Sequence, residues 1–185
     1  MSPITSDASG IINDKMAEMI IFQASKEIEL EQVRRLMRTF IEWHRQRNAN
    51  HLELIDQYFD QNTFEAELTA LPGKYSPPRG RLLLAYEQNQ PAGCVALREI
   101  DAVTCEMKRM FVYPQFHGQG IGRALAETVI REARAIGYTR MRLDTGPTQV
   151  EAQGLYRSLG FKVISPYYDL PENLKNWLVF MELTL

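Results

Sequence analysis

The sequence predicts an α/β fold, of the α+β kind, with a central mixed and mostly antiparallel twisted sheet flanked by helices. Strand and helix patterns alternate along the chain, which is typical of an α/β architecture. The middle departs from this alternation, because three strand patterns follow one another over residues 81–113 with tight links between them. Such a meander is antiparallel, so the sheet is expected to be mixed rather than wholly parallel.

The elements before the meander are a strand and several helices. MIIFQA (residues 19–24) has the composition of a strand, and apolar side chains then recur at helical spacing over residues 30–41, with Ser25 as the predicted N-cap. Residues 51–71 mix acidic and apolar side chains, which predicts one or two short amphipathic helices. The glycines and prolines of GKYSPPRG (residues 73–80) predict a loop.

The meander and the element after it are the most regular part of the chain. Its three strands are predicted as RLLLAYE (81–87), AGCVALREI (92–100) and TCEMKRMFVY (104–113). Apolar residues then step by three or four over residues 121–136, which predicts a long helix that ends at Gly137 as a C-cap.

The last quarter of the chain is predicted to add strands and one more helix. RMRLDT (140–145) is a strand pattern, and Thr148 with Glu151 forms a capping-box pattern in front of a helix from about Gln149 to Leu159. Gly160 is expected to end that helix. The final strands are predicted as FKVIS (161–165) and NWLVFMELTL (176–185).

Length and composition indicate one globular domain. A chain of 185 residues with 45% hydrophobic residues is sufficient for a single core. Residues 1–18 are polar without a clear period and are expected to be a flexible N-terminal leader. The domain is therefore predicted to comprise residues 19–185.

Charge and composition argue against several functional classes. The net charge of −2, with scattered basic residues, does not suggest binding to nucleic acid. No run of about 18 apolar residues predicts a membrane span, and the N-terminus does not resemble a signal peptide, so a cytoplasmic protein is expected. Cys94 and Cys105 form no CxxC pair, and the three histidines lack metal-ligand spacing. No metal is expected, and the cysteines are interpreted as buried thiols.

Three glycines, Gly118, Gly120 and Gly122, stand directly before the long helix in HGQGIGRAL (residues 117–125). The unpaired backbone N–H groups at a helix start favour an anion, and glycines remove side chains that would obstruct a phosphate. The spacing fits neither the P-loop nor GxGxxG. Taken alone, the pattern is compatible with a phosphate site or with a tight structural turn.

The surrounding motifs resemble the GNAT acyl-CoA-dependent N-acetyltransferases. The run EMKRMFVYPQFHGQGIGRAL is followed by GY, a short strand and AQGLYRSLGF. The resemblance covers residues 81–165 strongly and the rest of the domain in element order. It implies the GNAT fold, acetyl-CoA as co-substrate, and direct acetyl transfer to an amine. A covalent intermediate on either cysteine is not expected.

The family's turn, [RQ]xxGxG, binds the pyrophosphate of coenzyme A through backbone amides, and its next helix often begins NxxAxxLY. The resemblance therefore implies thirteen cofactor-binding residues: Met110, Phe111, Val112, His117, Gly118, Gln119, Gly120, Ile121, Gly122, Arg123, Gln149, Ala152 and Tyr156. Two positions depart from the pattern. Gln149 stands where the family often has Asn, and His117 stands where it usually has Arg or Gln. A neutral imidazole offers a diphosphate less than a guanidinium does, so His117 is either a weaker contact or an exposed loop residue.

Two catalytic residues follow from the resemblance. Glu106 is the candidate base, with the alternative of a surface glutamate paired with Lys108 or Arg98. Tyr156 is the candidate acid near the coenzyme A sulfur, with the alternative of a packed core tyrosine. Strand periodicity places Glu106, Lys108, Met110 and Val112 on one face. A backbone amide near Met110–Val112 is the expected oxyanion donor.

The predicted function is N-acetylation of a primary amine on a small molecule or a protein. The alternative is a non-catalytic sensor or partner subunit that binds an acyl-CoA. The family's acceptor site corresponds to residues 43–80 and 165–177, whose tyrosines and acids could hold a cationic amine. The apolar final strand could complete the core or pair with a second subunit in a homodimer.

Overall fold

The computed structural model describes residues 19–185, so the predicted leader lies outside the described residues. The strands are Ile20–Gln23 (β1), Arg81–Glu87 (β2), Gln90–Glu99 (β3), Thr104–Val112 (β4), Arg140–Thr145 (β5), Lys162–Ile164 (β6) and Val179–Thr184 (β7). The helices are Glu27–Arg47 (α1), Leu52–Tyr58 (α2), Gln61–Thr69 (α3), Ile121–Ile136 (α4), Val150–Ser158 (α5) and Glu172–Trp177 (α6).

All seven strands form one sheet in the order β1-β2-β3-β4-β5-β7-β6. Every neighbouring pair is antiparallel except β4 with β5, which is parallel. Helix α4 provides the crossover between these two strands. The predicted α/β fold with a mixed, mostly antiparallel sheet is therefore confirmed.

Two hydrophobic cores lie on opposite faces of the sheet. On one face, α4 buries Leu125 and Val129 against strands that include β3 and β5. On the other, α1 buries Val33 and Leu36 against β2 and β3. Each fully buried leucine contributes roughly 1.5–3 kcal/mol of hydrophobic stabilisation. The sheet is thus held rigidly between α1 and α4, and both helices also border the site described below.

Helix α1 begins one residue later than the predicted cap implies. Its N-cap is Lys26 rather than Ser25. The carboxylate of Glu29 accepts hydrogen bonds from the backbone N–H groups of Ser25, at 2.9 Å, and Lys26, at 3.0 Å. An acid in the first turn satisfies these donors from inside the helix, so a serine cap is not required.

The predicted capping box of α5 is wrong, because both of its members have partners at the C-terminal end of α1 or just after it. The Thr148 hydroxyl donates to Asn48 Oδ1 at 2.7 Å, and Glu151 forms an ion pair with Arg47. The N-cap is Gln149 instead. The beginning of the predicted last strand is also wrong, since residues up to Trp177 belong to α6 and β7 begins at Val179.

A β-bulge in β4 changes which side chains share a face. Cys94 pairs with Phe111 and Ala96 with Lys108, so two β4 residues face one β3 residue, and Arg109 has φ 54°. Met110 packs against the same core as Met107, although the two are an odd number of residues apart. The prediction that Glu106 and Lys108 share a face with Met110 and Val112 is therefore wrong, because the bulge reverses the alternation.

Among residues 19–185, no helix combines the length and the apolar character needed to cross a membrane. In the same part of the chain, no three or more His, Cys, Asp or Glu side chains are grouped so that they could hold a metal ion.

Candidate active site

The site begins where β4 and β5 separate. The two strands pair only from Thr104 with Arg140 to Glu106 with Arg142. Beyond these residues β4 continues beside β3 only, and β5 continues beside β7. The sheet therefore opens at the C-terminal ends of its two parallel strands, which is where α/β sheets commonly bind ligands.

Three adjacent clefts surround this opening. The sheet cleft lies between the strands and is bordered by Lys108–Met110, Leu143–Gly146 and Tyr156. The turn cleft lies beside the start of α4 and is bordered by Met110–Val112, Phe116–Gly118 and Gly120–Gly122. The outer cleft lies on the far side of the sheet cleft and is bordered by Gln57, Tyr58, Lys108, Arg109, Tyr168, Leu170, Pro171 and Leu174. Met110 borders both the turn and sheet clefts.

The glycine turn has the geometry of a helix start that leaves its backbone accessible. Gly118 has φ 80°, and Gly120, the N-cap of α4, has φ 81°. Apart from the adjoining backbone, no atom of residues 19–185 lies within 4 Å of the position that a Cβ would occupy at either residue. The glycines are therefore required by the left-handed backbone, and the space beside the first N–H groups of α4 stays open.

His117 contributes to this turn through its ring. Its Nε2 lies 2.9 Å from the carbonyl oxygen of Val112, which can only accept, so Nε2–H is the donor. The bond links the end of β4 to the glycine turn. His117 borders the turn cleft but is exposed. Its direct contact with a diphosphate stays a prediction.

Most of the predicted cofactor residues border the turn cleft, and three do not. The Gln119 amide donates to the Gln115 carbonyl at 3.3 Å, and the Arg123 guanidinium donates to the Ser158 hydroxyl at 2.8 Å. Neither of these two residues is part of the lining of the turn cleft. Tyr156 borders the sheet cleft instead.

Gln149 connects three elements at the boundary of the clefts. Its Oε1 accepts from the Gly146 N–H at 2.9 Å and from the Thr145 hydroxyl at 2.6 Å. Its Nε2 lies 2.8 Å from Nε2 of His44 on α1. The side chain borders both the turn and sheet clefts, but its polar atoms are already used within the protein.

Glu106, the predicted base, is buried in an ionic cluster. Its side chain is 0% exposed. One carboxylate oxygen accepts from Arg98, and the other accepts from Lys108 at 3.3 Å and from the Tyr167 hydroxyl at 2.6 Å. Glu106 borders none of the three clefts, so it cannot take a proton directly from a molecule bound there. The alternative pairing with Lys108 and Arg98 is observed, although inside the protein rather than at its surface.

Asp144 is the carboxylate that reaches the sheet cleft. It accepts hydrogen bonds from the hydroxyls of Tyr58 and Tyr168 and lies 3.5 Å from Lys108 Nζ. Burial raises the pKa of Asp144, but Lys108 and the two tyrosines outweigh burial and lower it. This residue was not among those predicted from the sequence. The feature that could have identified it is a single carboxylate near the C-terminal end of the predicted strand RMRLDT, next to the predicted site.

Tyr156 places a protonated hydroxyl at the inner end of the sheet cleft. Its ring packs against Phe161 with 5.7 Å between centroids. Within residues 19–185 its hydroxyl forms no hydrogen bond. Burial, with a smaller contribution from the Asp144 charge, raises the pKa of Tyr156 above its ordinary value of 10.0. The hydroxyl is therefore protonated at neutral pH and free to donate.

The bulge in β4 is held by a buried ion pair. Arg109 donates to both Glu67 oxygens, at 2.8 and 3.0 Å, and Glu67 also accepts from Lys74 and from Tyr75. Burial raises the pKa of Glu67, but the hydrogen bonds and charges of Arg109 and Lys74 outweigh burial and lower it to about 2. The carboxylate is therefore charged and paired at neutral pH.

We expect Glu67→Gln to lose about 3 kcal/mol of unfolding free energy at pH 7, because it leaves the buried Arg109 charge without its partner. Because the pKa of Glu67 is lower in the folded protein than its ordinary value of 4.5, the charged carboxylate stabilises the fold fully at pH values above 4.5. This stabilisation is lost progressively as the pH falls from 4.5 towards 2. The difference between variant and parent should therefore shrink below pH 4.5. Urea unfolding at pH 7 and pH 3 measures it, and a difference that is independent of pH would contradict the assignment.

Both cysteines are buried, free and unreactive. Burial raises the pKa of the Cys94 and Cys105 thiols to about 12. Neither residue borders the three clefts, so the interpretation as small buried thiols is confirmed. Treatment of the native protein with iodoacetamide, followed by its removal, should leave enzymatic turnover unchanged. Stoichiometric alkylation of either cysteine with loss of turnover would show that a thiol is accessible and needed.

Known proteins that resemble this chain in sequence are described as acetyltransferases. The family model described as "Acetyltransferase (GNAT) family" matches residues 56–161. An uncharacterized N-acetyltransferase of Schizosaccharomyces pombe is 41% identical over 100 residues, covering 53% of this chain and 61% of that protein. An uncharacterized N-acetyltransferase of Dictyostelium discoideum is 29% identical, covering 85% of this chain and 95% of that protein.

The fold also matches solved structures. The PaiA N-acetyltransferase of Thermoplasma acidophilum has a TM-score of 0.67 and 19% sequence identity, with 91% of this chain and 99% of that chain covered. At this identity the comparison supports the fold alone.

Proposed function

This chain belongs to the GNAT acetyltransferase family, and we propose that it transfers the acetyl group of acetyl-CoA directly to a primary amine. The observation that carries this proposal is the position of the glycine turn. It borders a cleft that adjoins the separation of β4 and β5, with Met110 bordering both clefts, so an anion site and a reaction site lie next to each other. A structural turn alone would not require that arrangement.

The turn cleft fits coenzyme A in two ways. The free N–H groups at the start of α4 suit the diphosphate. Beyond Glu106, β4 has no partner on its β5 side within residues 19–185, so its backbone can hydrogen-bond an extended pantetheine arm as an added strand would. The Thermoplasma acidophilum protein, which has a similar fold, was solved in complex with coenzyme A.

The bulge and Tyr156 supply the groups that the transfer needs. The amine nitrogen attacks the thioester carbonyl carbon, and the resulting oxyanion accepts from a backbone N–H near Met110, where the bulge frees a residue from the ladder. The C–S bond then breaks, and the Tyr156 hydroxyl protonates the departing thiolate. The proton that nitrogen releases on forming the amide restores the hydroxyl through solvent.

The buried position of Glu106 changes the predicted source of the base. Asp144, the carboxylate that borders the sheet cleft within residues 19–185, is already paired with Lys108, Tyr58 and Tyr168. The acceptor therefore reacts as its free amine, and the rate should follow the fraction of acceptor that is unprotonated.

The same burial of Glu106 favours a second candidate, a non-catalytic protein that binds an acyl-CoA. The two functions differ in thiol release. Acetyl-CoA is incubated with a panel of amines and the free thiol is measured, while thermal unfolding is followed during a titration with coenzyme A. The proposed enzyme predicts both stabilisation and amine-dependent release. Stabilisation without release on any amine would favour the sensor, and no stabilisation would exclude both.

A further inference from the structure

The sheet cleft and the outer cleft together form one site beyond the place proposed for the thioester. Tyr58, Lys108 and Arg109 border both clefts, so the two lie side by side. An acceptor that approaches the thioester from the side opposite the glycine turn must lie in this space, which we call the acceptor cleft. Its lining therefore indicates the chemistry of the acceptor.

His44 contributes an unsatisfied donor to the acceptor cleft. It borders the sheet cleft and is only 4% exposed. Gln149 Oε1 accepts from Gly146 and Thr145, so the Gln149 amide nitrogen must donate to His44 Nε2. The His44 proton therefore lies on Nδ1, which is buried without a partner in the described chain. Burial and the charge of Arg47 lower the pKa of His44 to about 4, so the ring is neutral.

Trp177 contributes a second donor of the same kind. Its indole Nε1 is buried without a hydrogen-bond partner among residues 19–185, and the residue borders the sheet cleft. An indole N–H can only donate. A buried donor without a partner costs roughly 1–3 kcal/mol, which a bound oxygen atom would recover. Two such donors on residues that border one cleft favour a ligand that carries hydrogen-bond acceptors.

Two cations of the acceptor cleft also retain donor capacity. Lys108 Nζ lies 3.3 Å from Glu106 and 3.5 Å from Asp144, and both are long contacts. Arg109 uses Nε and Nη2 for Glu67, which leaves Nη1 without a partner in the described chain. Burial lowers the pKa of Lys108, but the carboxylates of Asp144 and Glu106 outweigh burial and raise it. Both side chains are therefore charged.

Acceptor groups, in contrast, are already used. Asp144 is the one carboxylate that borders the acceptor cleft in the described residues, and both of its oxygens accept from protein groups. Tyr167 and Tyr168 donate their hydroxyls to Glu106 and Asp144. Among residues 19–185, the acceptor cleft itself therefore offers no unpaired carboxylate to a cationic amine. That tyrosines and acids elsewhere in residues 165–177 hold the amine stays a prediction.

We propose that the acceptor is a free amino acid, an amine whose own carboxylate is bound by Lys108 and Arg109 with the N–H groups of His44 and Trp177 as further donors. This inference rests on the proposed acetyl transfer. A polyamine or a lysine side chain would bring a second positive charge to a cleft whose free groups are cations and N–H donors.

The test uses amino acids and amines that differ only in the carboxylate. Thiol release from acetyl-CoA is measured with methionine against 3-(methylthio)propylamine, with phenylalanine against 2-phenylethylamine, and with spermidine. Rates are compared at equal concentrations of the unprotonated amine. At least one amino acid should have a kcat/KM about tenfold or more above its matched amine and above spermidine. Matched amines or spermidine that react equally well or better would overturn the inference.

Trp177→Phe tests the proposed indole donor directly, because it removes the N–H group and retains an aromatic ring. It should raise KM for the preferred amino acid several-fold and leave both KM for its matched amine and stabilisation by coenzyme A unchanged. Lys108→Met is the stronger variant, expected to lower kcat/KM for amino acids about a hundredfold, and thermal unfolding checks that it folds. An equal change for amino acid and amine in Trp177→Phe would overturn the proposed role.

Failure of the inference is distinguishable from failure of the proposed function. Release with simple amines, without any preference for a carboxylate, leaves the acetyltransferase intact and overturns the amino-acid assignment alone. Stabilisation by coenzyme A without release on any member of the panel overturns the acetyl transfer and the acceptor assignment with it.

Discussion

Replacement of Gly120 by valine should weaken coenzyme A binding about tenfold or more, which corresponds to the loss of roughly one hydrogen bond to a charged group. Gly120 is the N-cap of α4 with φ 81°, a conformation that a β-branched residue resists. The side chain would also occupy the open space beside the first N–H groups of α4. Isothermal titration with coenzyme A measures the effect.

Gly137→Val is the matched control, since it introduces the same strain at the other end of the same helix. Gly137 is the C-cap of α4 with φ 102°, and no atom lies within 4 Å of its Cβ position. Both variants should lose roughly 1–2 kcal/mol of stability, but only Gly120→Val should lose coenzyme A affinity. If the two variants bind coenzyme A with equal affinity, the glycine turn has a structural role only and does not bind the diphosphate.

Tyr156→Phe should lower kcat about a hundredfold and leave coenzyme A affinity nearly unchanged, because it removes only the proton for the departing thiolate. The Tyr156 hydroxyl borders the sheet cleft and has no other hydrogen bond in the described chain, so little stability should be lost. Steady-state kinetics with coenzyme A titration separates the two effects.

Tyr138→Phe provides the control for this experiment. Tyr138 is also a buried tyrosine, but its hydroxyl donates to the Arg79 carbonyl away from the three clefts. This variant should retain parental turnover. Equal turnover in Tyr156→Phe and Tyr138→Phe would show that Tyr156 packs in the core and does not act as the acid.

The elements that sequence periodicity defines strongly were predicted well. Helix α4 begins and ends where the apolar spacing and Gly137 indicate, because one long stripe of side chains packs against one face of the sheet. The meander was predicted for a similar reason, since each strand alternates or is wholly buried. The errors fall where a tertiary contact replaced a local signal, as at Thr148, whose hydroxyl bonds Asn48 rather than capping α5.

The candidate site was predicted in part. The glycine turn and Met110 could be located because a local pattern carries them. Glu106 was assigned from the resemblance, but only the fold shows that Arg98, Lys108 and Tyr167 enclose it. The bulge at Arg109 could not be predicted either, because the ion pair that holds it joins Arg109 to Glu67, 42 positions away in the sequence.

The acceptor cleft could not be predicted at all from spacing. It is assembled from α1, α2, β4, β5 and the segment around α6, and its character depends on which polar atoms other residues have already used. Asp144 and Trp177 illustrate this, because one is a satisfied carboxylate and the other an unsatisfied donor. Pairing to a second subunit and location in the cytoplasm stay predictions.

A crystal structure with acetyl-CoA bound tests the central claim most directly. We expect the diphosphate on the backbone N–H groups of residues 118–122, with the pantetheine arm along β4 beyond Glu106. The acetyl carbonyl should accept from a backbone N–H near Met110, and the sulfur should lie beside the Tyr156 hydroxyl. A diphosphate bound away from the start of α4, or a sulfur far from Tyr156, would contradict the account.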